Sequence, residues 1–453
     1  MSEATASLDF LAVGAGACGL AAAIAAHDAG LSVAVVEKFG RPGGNSALST
    51  GSVIGAGSLY QRASGIDDSP ERMVADLSAI AGASDNPALL RRLAEVSAGL
   101  VAWLTATVGC RLHLVTAYRH IGHSVPRLHA PASRRGQDLV DDLVAAATAR
   151  GIPIAVGNDV AGLLLRDGAV HGIRLAGGEE IAARKTLLAL NGFAANPALV
   201  REYCPEIAGA QYFGAPGSTG EAVLWGREVG AALDNMGAYQ GYAAVAYPHG
   251  SLLSWTTIEK GGILLGRTGR RFGNEGLGYS GYARVVLEQG GEAVALFDQH
   301  SFDIASGEEE FLELARYGGV RSASSLAEAA TAMGLDRAAV TEEVALYNAA
   351  ARGETPDRFG RQDFGLAPLV APFHVARVIP GLFHTQGGLR VDTDARVLRP
   401  DGTVVPNLFA GGGAAAGISG RQGALGYASG NGLLSALGLG WLAAQAAARE
   451  LRP

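Results

Sequence analysis

The stretch that decides the fold is "LDFLAVGAGACGLAAAIAAHDAGLSVAVVE", residues 8–37. "LDFLAV" has the length and apolar content of a buried strand. "GAGACG" follows, with Gly14, Gly16 and Gly19 in G-x-G-x-x-G spacing. "LAAAIAAHDAG" reads as a helix that closes at Gly30, and "LSVAVVE" as a second strand ending at Glu37. The first glycine permits a tight turn, the second lets a pyrophosphate approach the backbone, and the third lets helix and strand pack closely. The helix start offers unpaired N–H groups and the positive end of its dipole to phosphates. Glu37 offers a carboxylate to ribose hydroxyls. Strand, glycines, helix and acid in this order mark a dinucleotide site, where the glycines alone would be a weak signal.

Glu37 favours an unphosphorylated ribose, so FAD or NAD rather than NADP. The next segment, "GRPGGNSALSTGS" (40–52), is a loop of small residues. Asn45 and Ser46 in it can hydrogen-bond the polar edge of a flavin lying against the loop. No second G-x-G-x-x-G follows a strand later in the chain, so a separate nicotinamide-nucleotide domain is not evident.

Bulk properties exclude several classes. The 453 residues are 48% hydrophobic and suffice for two or three domains with large cores. The net charge of −7 and the lack of a basic stripe argue against a nucleic-acid partner. Cys18, Cys110 and Cys204 are far apart and form no C-x-x-C, which predicts a reducing compartment without disulfides, cysteine-held clusters or attached haem. "MSEATASLDF" lacks the positive start of a signal peptide, and Asp9 and the glycines interrupt the apolar run after it. A cytoplasmic protein with no membrane insertion is expected. His113, His120, His123 and His129 cluster without a cysteine pair or paired acids, so no metal is expected there. Cys18 reads as a small filler beneath the cofactor.

At full length the sequence resembles the flavoprotein family of fumarate reductases, succinate dehydrogenase flavoprotein subunits and 3-ketosteroid dehydrogenases. "GGNS" (43–46) resembles its GGN-S/T loop, and "TLLALNGFAANPALV" (186–200) its strand-to-glycine segment. "STGEAVLWGREVGAAL" (218–233), "GRRFGNE" (269–275), "ALYNAAARGETPDRFGR" (345–361), "FHTQGGLRVDTDARVL" (383–398) and "VPNLFAGGG" (405–413) match further family motifs. The resemblance implies an α/β fold: a Rossmann-like FAD-binding domain in two halves, 1–238 and 377–453, with an inserted α+β cap, 239–376, that binds substrate. In the cap, "SSLAEAATAMGL" and "DRAAVTEEVALYNAAARG" read as helices, the second N-capped by Asp336. Substrate and flavin meet at the junction in this family, and cap closure excludes water. The candidate cofactor residues are Gly14, Ala15, Gly16, Ala17, Gly19, Glu37, Lys38, Gly44, Asn45, Ser46, Val160, Asn191, Gly192, Gly413, Gly432 and Leu433. The loop "GGNSALS" has no histidine where relatives attach FAD covalently, so non-covalent FAD is expected.

Fumarate reductases clamp a dicarboxylate with arginines. The first of these should follow the Asn-Glu pair; here Asn274-Glu275 leads to Gly276, Leu277, Gly278 and Tyr279 in a glycine-rich, loop-like stretch. The second should precede the C-terminal glycine-Asn turn; here Tyr427 stands there, with Asn431 in register. Tyr247 in "AYPHG" takes the place of a family histidine. Tyrosines at these places resemble the ketosteroid dehydrogenase branch. The chemistry implied is desaturation of a ketone. A phenolate at Tyr279 takes the α proton, a β hydride passes to flavin N5, and Tyr427 donates to the carbonyl as enolate charge develops. Tyr282 is the alternative base, and Tyr247 a substrate-pocket residue. His384 keeps the histidine of H-T-x-G-G, which suits a carboxylate or carbonyl oxygen. The helix from about Asn431 to Glu450 aims its N-terminus at the flavin pyrimidine. The substrate is a small oxo-cyclohexane carboxylate-like ketone or a 3-ketosteroid. The alternative is the reverse activity, reduction of an activated C=C bond. The electron acceptor, whether oxygen, a quinone or another redox protein, is left open.

Overall fold

The computed structural model describes residues 7–82, 86–116 and 120–452. Residues 1–6 of the N-terminal segment and 117–119 of the histidine-rich one lie outside the described residues. The chain forms two compact units, one of residues 1–204, 214–239 and 384–453, the other of 205–213 and 240–383.

The first unit is built on the opening stretch. The strand Leu8–Val13 pairs in parallel with Val33–Val36 on one side and Glu180–Leu188 on the other. Val404–Ala410 joins Glu180–Leu188 in parallel, and Ile154–Ala155 extends the far edge. Val160–Arg166 and Ala169–Leu175 form an antiparallel ribbon on Glu180–Leu188. Among the described residues this is an eight-stranded sheet. The central strand is fully apolar over Phe10–Val13 because both its faces are covered.

The helix Ala17–Asp28 ends two residues before Gly30, which takes φ +87° as the chain turns back to the sheet. It is buried from Ala17 to Ala26, and its small side chains let another helix come close. That helix is the C-terminal Asn431–Leu451. A Cβ on Gly440 would fall 2.4 Å from the Cys18 carbonyl oxygen, and one on Gly411 would fall 2.6 Å from Cys18 Sγ. Cys18 is thus a buried space-filler, and burial raises its thiol pKa to about 12.

In the second unit the long strand Phe373–Thr385 is central. Ala293–Asp298 and Arg321–Ala323 pair antiparallel to it, and Ile263–Leu265 extends the sheet beyond Ala293–Asp298. The helices Leu326–Met333 and Arg337–Ala351 pack on this sheet, burying Ala329, Met333, Val340, Val344 and Tyr347. Asp336 caps the second by accepting from the Ala339 N–H at 2.7 Å. Among the described residues no helix is long and apolar enough to cross a membrane.

Candidate active site

The three fingerprint glycines are not equivalent. At Gly14, with φ +108°, a Cβ would lie 2.3 Å from the Ala189 oxygen; at Gly19 it would lie 1.9 Å from the Gly14 oxygen. The chain's own packing demands glycine at both. At Gly16 a Cβ would stand 3.5 Å from the Gly43 oxygen and 3.6 Å from Ser46 Oγ, which is ordinary contact. The protein does not need glycine there; a group approaching the backbone from outside does. The following helix has no cap from its own N-cap residue, Gly16, and of its first N–H groups that of Ala17 is taken by a side chain, which leaves those after it for an anion.

The segment 40–52 folds onto this turn. Ala17 N–H donates to Ser46 Oγ at 3.2 Å, and Gly43 N–H to the Ala15 oxygen at 3.1 Å. The sequence reading made 40–52 a loop; Gly44–Leu48 is a short helix within it. The Glu37 carboxylate accepts from Ala15 and Phe39 N–H, both at 2.9 Å, so the acid also fixes the turn that it flanks. Lys38 spends its charge on Glu221 at 2.7 Å and Thr219 at 3.0 Å.

A second group of predicted residues comes together in the same unit. Asn191, at φ +67°, donates to Ser218 Oγ at 2.8 Å. A Cβ on Gly192 would fall 2.3 Å from Thr385 Oγ1, and one on Gly413 would fall 2.6 Å from Asn191 Oδ1. The segments around 191, 385 and 413 therefore pack closely, and a Cβ on Gly413 would also fall 2.8 Å from the Gly192 nitrogen. Leu433 and Val160 are buried, the latter opening the strand Val160–Arg166. The helix Asn431–Leu451 starts without a side-chain cap, as the residue before it, Gly430, requires. Beside Gly432, His384 Cε1 and Nε2 lie 3.8 Å from where a Cβ would be. His384 Nδ1–H donates to the Thr385 oxygen at 3.1 Å, which leaves Nε2 as an acceptor. Burial lowers its pKa and outweighs the carbonyl, so the ring is neutral.

Among the buried polar atoms of this unit that have no partner among the described residues are Asn45 Nδ2, Gln386 Nε2, Asn431 Oδ1 and Ser435 Oγ. Buried polar groups are rarely left unpaired. Two donor-bearing amides, an acceptor and a hydroxyl suit the mixed polar edge of a flavin, and a backbone free of a side chain at Gly16 suits its pyrophosphate. The residues present fit FAD. Gln386 and Ser435 were not found from sequence; no motif marks them, and only their burial does.

In the second unit, Tyr279 and Tyr282 stand on the helix Gly278–Glu288 rather than in a loop. Glycines at 278 and 281 disguise it. Packing overrides their poor propensity: Ser280 Oγ accepts from Gly241 N–H at 3.0 Å, and Ala283 sits against Gly241, where a Cβ would be 2.7 Å away. Tyr282 is fully buried, and its hydroxyl has no partner among the described residues. Burial raises its pKa steeply, so it is a packing residue and a poor base. Tyr279 instead enters an aromatic cluster, with its ring 5.0 Å from Tyr242 and 6.5 Å from Trp255. Tyr242 in turn lies 5.8 Å from Phe383, which stacks on Phe213 at 6.0 Å. The Tyr242 hydroxyl donates to the Leu253 oxygen at 2.9 Å and accepts from Trp255 N–H at 3.1 Å, which locks the ring.

The arginines flanking Tyr279 are committed. Arg271 is bidentate to Glu275 and pairs with Asp357, all buried. Arg270 pairs with Glu342 and Arg284 with Glu288. Tyr247 is 54% exposed and is held through its backbone N–H to the Arg377 oxygen. Tyr427 is half-buried in the first unit, in the turn before the C-terminal helix. Among the described residues no group of three or more His, Cys, Asp or Glu is placed to hold a metal.

A family model described as an FAD binding domain matches residues 9–429. The chain is 32% identical to an NADH:fumarate oxidoreductase of Klebsiella pneumoniae (strain 342) over 98% of its own length and 48% of that protein. It thus spans about half the length of that relative. It superposes on the open conformation of a flavocytochrome c3 fumarate reductase with a TM-score of 0.83 and 27% identity, covering 98% of this chain and 78% of that one. On the 3-ketosteroid-Δ4-(5α)-dehydrogenase of Rhodococcus jostii RHA1, bound to 4-androstene-3,17-dione, the TM-score is 0.78 at 27% identity, covering 99% and 98%.

Proposed function

The chain belongs to the FAD-binding flavoprotein family of these fumarate reductases and ketosteroid dehydrogenases, an FAD-dependent oxidoreductase of CH–CH groups by that membership, and from this premise we propose that it desaturates a cyclic ketone at its α and β carbons. FAD, when bound, supplies the acceptor for the hydride that leaves the β carbon. Tyr279 takes the α proton on its phenolic oxygen. Tyr427 donates to the carbonyl oxygen as negative charge builds there, and neutral His384 orients the substrate beside Gly432. Tyr247 borders the substrate region. Residues 239–376 serve as the substrate cap.

One observation carries this reading: the ring of Tyr279 lies among Tyr242 and Trp255, while Arg270, Arg271 and Arg284 are each taken by a carboxylate. Such a surrounding favours an apolar ring over a dianion. A small oxo-cyclohexane carboxylate-like ketone and a 3-ketosteroid both meet it. A second reading, reduction of an activated C=C bond, is favoured by the 32% identity to an NADH:fumarate oxidoreductase. The acceptor is oxygen, a quinone or another redox protein, and three buried, unbridged cysteines suit a reducing cytoplasm.

Anaerobic mixing of the FAD-loaded protein with saturated cyclic ketones, with and without a carboxylate, tests the proposal. Bleaching of the flavin absorption by one of them, lost in Tyr279→Phe with FAD still bound, supports desaturation. If no ketone bleaches it, and dithionite-reduced protein is reoxidised by an enone or unsaturated acid, the second reading replaces the first.

A further inference from the structure

The histidine-rich segment has no part in the chemistry above, yet one of its members reaches the turn that carries Tyr427. Arg127 is wholly buried. Its Nε and Nη2 donate to Asp68, both at 2.7 Å, and its Nη1 donates to Asp76 at 2.9 Å. The same Nη1 lies 3.0 Å from His123 Nδ1. A guanidinium only donates, so Nδ1 accepts and the ring proton is on Nε2. That nitrogen stands 2.8 Å from the Ser429 oxygen and donates to it. Ser429 N–H in return donates to the Ile121 oxygen at 3.0 Å. Between these two bonds the chains nearly touch: a Cβ on Gly122, at φ +86°, would fall 2.7 Å from Ala428 Cβ. Residues 121–123 therefore clasp 428–429 on both sides, two residues from Tyr427 and two from Asn431, where the C-terminal helix begins.

We propose that His123 is a positioning residue for Tyr427: the carboxylates fix Arg127, Arg127 fixes the His123 tautomer, and His123 fixes the Tyr427 turn through Ser429. The claim rests on the role given to Tyr427 above. His123 touches neither substrate nor cofactor in this scheme. It orders a segment that would otherwise be a glycine-flanked turn, "GYASGNG", with many conformations open to it.

His123→Leu removes the donor at similar volume; His123→Gln restores both bonds, with its amide oxygen accepting from Arg127 and its NH2 donating to Ser429. The first measurement is hydrogen exchange of the FAD-loaded full chain. Loss of one such hydrogen bond corresponds to a rise of roughly fivefold to tenfold in exchange at 427–431. That rise is expected in His123→Leu and not in His123→Gln, with the flavin spectrum unchanged in both. The second measurement is a cycle with Tyr427→Phe. His123→Leu should lower kcat in the wild type, leave KM near its value, and cost nothing further in the Tyr427→Phe background. Unchanged exchange, or kinetic losses that multiply, would overturn the proposal. So would a Tyr427→Phe enzyme of full activity; the exchange result, which needs no substrate, separates that failure of the functional reading from a failure of the clasp.

Discussion

Gly16 and Gly19 lie in one motif, yet alanine should act on them in opposite ways. Gly16 has φ −80° and ψ −175°, a conformation that alanine adopts freely. Its new methyl would meet the protein only at 3.5 Å and beyond. Restricting the unfolded chain at a compatible site stabilises by about 0.4–1 kcal/mol. Gly16→Ala should therefore leave the FAD-free protein as stable as wild type or slightly more so. The same methyl enters the space meant for the pyrophosphate. Overpacking of that kind costs roughly 1–3 kcal/mol, which weakens FAD binding by about fivefold to 150-fold. Gly19→Ala places its methyl 1.9 Å from the Gly14 oxygen, where a backbone must move. It should lower stability by about 1–3 kcal/mol with or without FAD. The assay is denaturant unfolding of the FAD-free protein, paired with FAD titration followed by quenching of flavin fluorescence. A Gly16→Ala protein that binds FAD like wild type, or that unfolds as easily as Gly19→Ala, would refute the reasoning.

Three further outcomes are expected. Burial pushes His123 and His129 down to about 4 from an ordinary 6.5, so the unfolded chain takes up their protons first. Their contribution is intact above about pH 6.5 and is lost as pH falls toward 4; in urea unfolding between those limits, His123→Gln should flatten the slope by up to ~1.4 kcal/mol per pH unit. Arg127→Met strands Asp68 and Asp76 without their cation and should cost about 3–5 kcal/mol by the same measurement. Tyr282→Phe removes a buried hydroxyl without a partner among the described residues, so stability should hold or rise by up to about 1 kcal/mol, and activity should survive where Tyr279→Phe loses it.

The nucleotide half was legible because its signals are local. Glycine spacing, the flanking strands and Glu37 all lie within residues 8–37, and the parallel pairing Phe10–Val33 to Val13–Val36 follows from them. The helix around Tyr279 was not legible, since Gly278 and Gly281 depress its propensity and its stability comes from contact with Gly241, far away in sequence. The aromatic wall gathers Phe213, Tyr242, Trp255, Tyr279 and Phe383 from five separate segments, and no spacing rule links them. Arg127 and Asp68 are ordinary charges in sequence; only their complete burial shows that they hold a turn some three hundred residues on, as the 306-residue separation of His123 and Ser429 records.

The central claim is that Tyr279 removes a proton from the carbon beside a carbonyl. Exchange of that hydrogen with solvent needs neither net turnover nor the physiological acceptor. FAD-loaded protein, wild type and Tyr279→Phe, would be incubated with the saturated cyclic ketones in D2O, and α-deuterium followed by NMR. The account predicts enzyme-dependent incorporation at one α position, reduced on the order of 10²-fold or more in Tyr279→Phe, the usual worth of a general base. Incorporation at the wild-type rate in Tyr279→Phe, with FAD bound in both proteins, would contradict it.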